Sequence, residues 1–479
     1  MNRPLYVTTT IPYVNAPPHI GFALELVQSD TIARYHRLGE RVVRLQSGTD
    51  ENAFKNVLSA RARGVPVQTL VDENAARFRS LSHALGISAD RFVRTTEATH
   101  CRAVIEFLER LRPEDVYRAD YRGLYCPGCE DFYLEQDLEQ GLCPDHRTPV
   151  VAVAERNVFF RLSAWQERVR ELIASRHIRI IPETREREVL QFIDRGLVDI
   201  SISRDAARSE GWGIPFPGDS SQVVYVWIDA LINYLSGLGY PDSAEVERFW
   251  NSAEKCHVIG KNVWKFHAIY WPALLLSAGL PVPDRIVVHG FLTSEGRKIS
   301  KSAGDAVDPV EYITRYGADA VRYFLLRHTP PFDDADFSVA RLEAAYTADL
   351  ANGIGNLASR LTTLCEAADV AGDESRCTTA PPGYDEHLRA YRFDLALATL
   401  WGEVTQLNRD VAAAKPWEQV NAGNLAQARD ALTPLVARLA DVAYWLAPFL
   451  PSTASAIATA LTGPRIRKVA PLFPRLASR

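Results

Sequence analysis

Residues 5–50 read LYVTTTIPYVNAPPHIGFALELVQSDTIARYHRLGERVVRLQSGTD, and this stretch decides the fold. Leu5 to Val14 is rich in Val, Thr and Tyr, the composition of a buried strand. Pro17 and Pro18 break it, and an apolar period of helical type runs from about Ile20 to Leu38. Arg41 to Leu45 reads as a second strand that ends in Ser47-Gly48-Thr49-Asp50. Strand, helix, strand opens a Rossmann-type, doubly wound parallel sheet, whose ligands sit at the carboxyl ends of the strands. The GxGxxG fingerprint is absent, so ordinary dinucleotide binding is not expected.

Outward from there the α/β pattern breaks near Arg112. The segment to about Pro215 holds a cysteine cluster and a strand at Val158-Phe160, and it reads as an insertion into the sheet domain. The pattern resumes with Val223 to Ile228 as a strand and Asp229 to Leu238 as a helix. His257 to Ile259 is another strand, Asn262 to Ala278 a helix, and Arg285 to Leu292 a further strand. From about Ala340 the chain reads as helical throughout, with apolar faces over Asp349–Leu364 and Phe393–Ala413. The expected division is a first catalytic half at 1–112, a connective insertion with a zinc knuckle at 113–215 and a second catalytic half at 216–290. A linking segment at 291–340 and an all-α helical bundle at 341–479 complete it.

A chain of 479 residues is too long for one core. Charged residues make up 24% and the net charge is −5, so no global basic signature points to nucleic acid, although a local patch is enough to bind RNA. No run of apolar residues is long enough for a membrane span, and the N-terminus enters a strand without a signal-peptide core. Seven cysteines, three of them clustered at metal-ligand spacing, fit a reduced, cytoplasmic compartment better than a disulfide framework.

Four constellations carry chemistry. His19 and Gly21 stand where a strand hands over to a helix, a place where N–H groups point at an incoming anion. A lone His-x-Gly would read as a helix start with a surface histidine; the distant KISKS segment, Lys298 to Ser302, changes that. Lys298 and Lys301 can stabilise charge on the β- and γ-phosphates as pyrophosphate leaves, with Ser300 adding a hydroxyl and Gly296 and Gly304 permitting movement. Cys126 and Cys129, then Cys143 and His146 after 13 intervening residues, have the spacing of a closed tetrahedral Zn²⁺ site. Trp227, Tyr234, Phe266 and Trp271, with His267 among them, are core packing on the plain reading. Trp227 and Phe266 are nonetheless expected close after strand ends, where an aromatic pocket would suit a polarizable thioether. Asp50, also at a strand end, could hold an α-ammonium group.

Taken together these residues resemble the class I aminoacyl-tRNA synthetases, in their methionine-specific branch, over essentially the whole chain. HIGF at His19–Phe22 stands at the HIGH signature, KISKS at KMSKS, and SGTDEN at Ser47–Asn52 resembles GTDEH. GWGIP at Gly211–Pro215, YVWIDALINY at Tyr225–Tyr234 and IGKNVWKFH at Ile259–His267 are similar to family segments. The resemblance implies a methionine pocket lined by Ile11, Tyr13, Asp50, Trp227, Ala230, Leu231, Tyr234, Val263, Phe266 and His267. It implies that His19, Gly21, Glu25, Gly260, Asn262, Lys298, Ser300 and Lys301 serve ATP with Mg²⁺, and that Asn352, Asn356, Arg360 and Trp417 read an anticodon. Three departures from the pattern stand out: Phe22 replaces the second histidine of HIGH, Asn262 the aspartate of GKD, and Asn52-Ala53 a His-Gly pair.

The expected activity is formation of methionyl-adenylate from methionine and ATP, then transfer to tRNA. A second reading is a synthetase-like paralog that adenylates an amino acid and passes it to a small amine, hydroxylamine or hydroxyl acceptor, supported by Phe22, Asn52 and Asn262. A third is a catalytically silent RNA-binding or regulatory protein, which intact His19, Asp50, Lys298 and Lys301 oppose. Because no β-barrel follows the helical bundle, a monomer is expected.

Overall fold

The computed structural model describes residues 3–126, 131–133, 135, 138–144, 147–294, 297–298, 308–372 and 379–476. The chain forms two compact units. One comprises Met1–Pro18, Arg41–Ser80 and Ala89–His289; the other comprises His19–Glu40, Leu81–Ser88 and Gly290–Arg479.

The first unit is built on a six-stranded sheet in the order Arg91–Arg94, Val43–Thr49, Leu5–Thr8, Glu254–Gly260, Arg285–His289, Arg179–Ile181. Every neighbouring pair is parallel. Leu5, Tyr6, Val7 and Thr8 are all buried, as a central parallel strand covered on both faces requires. The order reverses direction between Leu5–Thr8 and Glu254–Gly260, the switch point at whose carboxyl edge sheets of this type bind ligands.

The first strand is shorter than its composition predicts. It ends at Thr8, and beyond it Tyr13 pairs singly with Asp50, because Pro12 lacks an N–H to continue a ladder. The second strand lies further along than expected, at Val43–Thr49. The stretch expected as a strand to Ile228 ends as one at Val224, and it belongs to a small antiparallel sheet with Ser203–Asp205 and Pro215–Phe216. The helix begins at Val226, so Trp227 sits in its first turn and not at the end of a central strand. β-Branched Val and Ile carry the strand pattern across this boundary, and tertiary packing overrides it. The expected strand Arg285 to Leu292 is two short strands, Arg285–His289 and Leu292–Ser294, in different sheets.

Within the expected insertion, Val116–Cys126 pairs antiparallel with Val151–Phe160. The same segment sends Arg179–Ile181 into the central sheet beside Arg285–His289.

The second unit is mostly helical, from Pro309–Tyr316 to Pro451–Leu461, with the helix Ile20–Leu38 also belonging to it. Its centre holds a fully buried ion pair. Arg322 lies 2.7 Å from Asp30, and its other N–H groups donate to the carbonyls of Phe449 (2.7 Å), Pro448 (3.1 Å) and Leu85 (3.3 Å). The other Asp30 oxygen accepts from the backbone N–H and hydroxyl of Ser88. One guanidinium thus binds three carbonyls and a carboxylate, which satisfies its charge without water.

Candidate active site

At the carboxyl edge of the first unit, the Asp50 N–H donates to the Pro12 carbonyl at 2.9 Å, fixing the turn that carries Ile11 and Tyr13 beside the turn that carries Asp50. Ile11 packs on Gly48, where an added Cβ would meet Ile11 Cγ2 at 3.0 Å and the Val93 carbonyl oxygen at 2.3 Å. Only a residue without a side chain allows this approach. Asp50 is buried.

The opposite wall comes from the helix Val226–Ser236 and the segment after Gly260. Trp227 and Phe266 stack with centroids 4.0 Å apart and planes at 9°, and Tyr13 lies 5.7 Å from Trp227. Phe266 begins a short π-type turn, Phe266–Tyr270, which widens the backbone just before the helix Trp271–Ser277. Ala230, Leu231, Val263 and Phe266 are buried. The Tyr234 hydroxyl is 2.7 Å from His267 Nε2, and His267 Nδ1 is 2.9 Å from the Val263 carbonyl. A carbonyl only accepts, so Nδ1 carries a proton; in the neutral ring Nε2 then accepts from the tyrosine. The ten residues that the resemblance assigns to an amino-acid pocket all belong to this unit.

Behind the pocket, His257 stacks on Tyr234 at 4.2 Å and its Nδ1 bonds Thr8 Oγ1 at 2.7 Å. Burial, then the neighbouring His267 and Lys255, push its pKa well below the ordinary imidazole value, so it stays neutral. Gln46 donates to the Asn233 carbonyl and Oδ1 at 3.0 and 2.9 Å, and the Tyr6 hydroxyl is 2.6 Å from Gln46 Oε1. These bonds tie two central strands to the pocket helix. Asn262 is exposed, just past the end of the strand Glu254–Gly260.

Sequence reasoning missed the carboxylates and cations around this wall. Glu51, next to Asp50, is buried and takes a two-pronged ion pair from Arg94 at 2.7 and 2.8 Å, with further bonds from Thr49 and Thr96. Arg204, also buried, lies with its guanidinium 3.7 Å over the Tyr225 ring, and together with Trp212 and Asn52 it lines a small cleft of about 40 Å³. The SRD triplet at Ser203–Asp205 was its only sequence signal, and that is too short to read alone.

In the second unit His19 caps the helix Ile20–Leu38. Its Nδ1 accepts from the Gly21 N–H at 3.1 Å, so a neutral ring carries its proton on Nε2. A Cβ at position 21 would meet the His19 ring at 2.9 Å. Gly21 therefore makes room first for the histidine itself, a requirement the sequence reading did not foresee. Phe22 and Glu25 are buried. Arg297–Lys298 forms a strand against Leu292–Ser294, while Gly296, Ser300, Lys301 and Gly304 lie outside the described residues.

Also in the second unit, Asn352 and Asn356 are exposed on either side of a kink at Gly353 (φ −86°, ψ −108°). Arg360 lies with its guanidinium 4.5 Å over the Trp417 ring, so one face of that indole is already covered by a cation.

Of the expected metal ligands, Cys129 and His146 lie outside the described residues. Cys126 and Cys143 are both buried; Cys126 Sγ is 3.9 Å from the Thr148 hydroxyl, and the Cys143 backbone N–H donates to the Thr148 carbonyl at 3.0 Å.

Comparison with known proteins adds to this geometry. A family model described as tRNA synthetases class I (M) matches residues 5–150 and 145–362. The chain is 37% identical over 470 residues to a methionine–tRNA ligase of Thermotoga maritima, covering 94% of this chain and 74% of that protein. It is 40% identical over 439 residues to the Mycobacterium tuberculosis methionine–tRNA ligase, covering 87% and 83%. The solved structure of Mycobacterium tuberculosis methionyl-tRNA synthetase in complex with methionyl-adenylate superposes with a TM-score of 0.91 at 36% identity, over 99% of this chain and 100% of that one.

Proposed function

The chain belongs to the class I tRNA synthetases of the methionine type, and from that premise we propose that it activates methionine with ATP and charges tRNA with it. It is an ATP-dependent ligase: the methionine carboxylate attacks the α-phosphorus, pyrophosphate leaves, and the terminal ribose hydroxyl of tRNA then displaces AMP from the acyl carbon. The observation that carries this reading is the likeness to a structure bound to methionyl-adenylate across nearly the full length of both chains. The relatives offer no support for transfer to a small amine or hydroxyl acceptor.

The roles of single residues are our proposal. Asp50 takes the ammonium group, and Ile11, Tyr13, Trp227, Ala230, Leu231, Val263 and Phe266 enclose the side chain. Tyr234, held by His267, sits on the same helix as Trp227 and Leu231, which supports its place in the pocket. His19, Gly21 and Glu25, with Gly260, Asn262, Lys298, Ser300 and Lys301, serve ATP and its Mg²⁺. The fixed His19 ring at a helix N-terminus supports an anion-binding role. Asn352, Asn356, Arg360 and Trp417 address the anticodon. The five-segment division of the chain, a monomeric state and a cytoplasmic location are parts of the same proposal; sedimentation of the purified protein tests the monomer. None of the described helices is long and apolar enough to cross a membrane.

Zinc fits the residues described. Cys126 and Cys143 are both buried, which supports their part in a tetrahedral set that Cys129 and His146 would complete. Bound there, Zn²⁺ would supply folding free energy to the insertion and no chemistry to the reaction. Cys143→Ser should remove the metal from a protein that otherwise carries one Zn²⁺ per chain; elemental analysis that finds none in the parent counts against the site.

The main test is ATP–pyrophosphate exchange with single amino acids, followed by charging of total tRNA. Exchange should depend on methionine above leucine or valine, since each missing methylene in an apolar pocket costs about 10–200-fold. Exchange with another amino acid and none with methionine would overturn the reading.

A further inference from the structure

Asp229 is buried in the first turn of the helix that carries Trp227, Ala230, Leu231 and Tyr234, and nothing in the reaction uses it directly. Its two carboxylate oxygens are divided between two other segments. Oδ1 is 2.6 Å from His100 Nε2, on the buried helix face of Ala98–Glu109, and His100 Nδ1 is 2.7 Å from Ser236 Oγ at the far end of Asp229's own helix. Oδ2 accepts from the Asn52 side-chain amide at 2.7 Å, and the same amide donates to the Thr95 carbonyl at 3.1 Å. Asn52 is two residues from Asp50. A carboxylate only accepts, so both neighbours must donate, and both bonds are charge-assisted.

We propose that Asn52, Asp229 and His100 form a clamp that sets the separation of Asp50 from the aromatic wall, and so act as positioning residues for the amino acid. This rests on the reading that methionine binds between Asp50 and Trp227. The clamp joins the turn after one central strand to the helix of the facing wall through a single buried anion. Letting go at Asn52 removes the tie between the Asp50 turn and the helix, which stays held by His100. The effect should therefore fall on amino-acid affinity more than on turnover. The titratable groups facing Asp229 are His100 and Cys101; the Cys101 thiol is pushed up by burial and by the Asp229 charge. Asn52, Thr95 and Ser236 are neutral.

Asn52→Asp has nearly the same shape but sets a second carboxyl against Asp229. Two such groups in contact cannot both ionise, so the pair closes again only when it shares a proton. The measurement is methionine-dependent pyrophosphate exchange by the whole protein, with KM for methionine and kcat followed from about pH 8 to about pH 6. In Asn52→Asp, KM should rise about 10- to 100-fold at the alkaline end, kcat should change less, and KM should recover toward the parent on acidification. Asn52→His, which keeps an N–H donor, should hold KM closer to the parent at the alkaline end than Asn52→Asp does. An Asn52→Asp protein with the parent's KM throughout, or one whose loss is independent of pH and falls equally on kcat, overturns the clamp. If the parent itself shows no methionine-dependent exchange, the pocket reading falls and the clamp with it. If the parent exchanges and the variant matches it, only the clamp falls.

Discussion

Position 22 shows how one side chain can carry two demands. The family signature expects a histidine there, yet Phe22 is buried on the helix Ile20–Leu38, at 7% exposure. An imidazole in that place would lose apolar packing and bury a polar group, at a cost of about 1–3 kcal/mol. Phe22→His should accordingly lower the free energy of unfolding, measured by denaturant titration, by about 1–3 kcal/mol, and an unchanged value would show that the ring contributes no packing. His19, by contrast, was legible from the sequence because its role is local. Helix start, cap and glycine stand within three residues. What the sequence could not show is that the Gly21 hydrogen faces the His19 ring, since side-chain rotamers leave no mark in the spelling.

The helix Ile20–Leu38 is held by the buried pair of Asp30 and Arg322. Burial pushes the Asp30 carboxyl up, but Arg322, Arg34 and the two bonds from Ser88 outweigh it, and its pKa lies below the ordinary carboxylate value. A carboxyl lowered on folding stabilises the protein above its unfolded pKa of about 4, and the contribution is lost as pH falls through the folded value. Asp30→Asn leaves Arg322 as a buried cation without its anion and should cost about 3–5 kcal/mol. Denaturant titrations between neutral and acid pH should show the variant losing less stability on acidification than the parent; equal slopes would place the acid sensitivity elsewhere. The helix itself was plain from its apolar period, whereas Asp30 and Arg322 stand nearly three hundred positions apart and no local pattern links them.

At the scale of the whole chain, the roles proposed above give adenylation and tRNA reading different residues. The pocket residues belong to the first unit, and Trp417 to the second. Base stacking on an aromatic ring is worth about 1–3 kcal/mol, so Trp417→Ala should cut charging by roughly one to two powers of ten. It should leave methionine-dependent pyrophosphate exchange near the parent rate; equal losses in both assays would mean that the indole supports the fold and not the RNA. Alone, the sequence determined the α/β start, the helical C-terminal region and the family through HIGF, SGTDEN, YVWIDALINY and KISKS. These are written locally, because periodicity and short motifs encode backbone conformation and chemistry within a few residues. Only the tertiary structure decided the strand order, the entry of Arg179–Ile181 into the central sheet and the place of Trp227 in a helix. It alone joined Asn52 to Asp229 across 177 residues and His100 to Asp229 across 129. Such pairs have no period. They form because a buried charge must find its partners wherever packing brings them, and sequence distance places no limit on that.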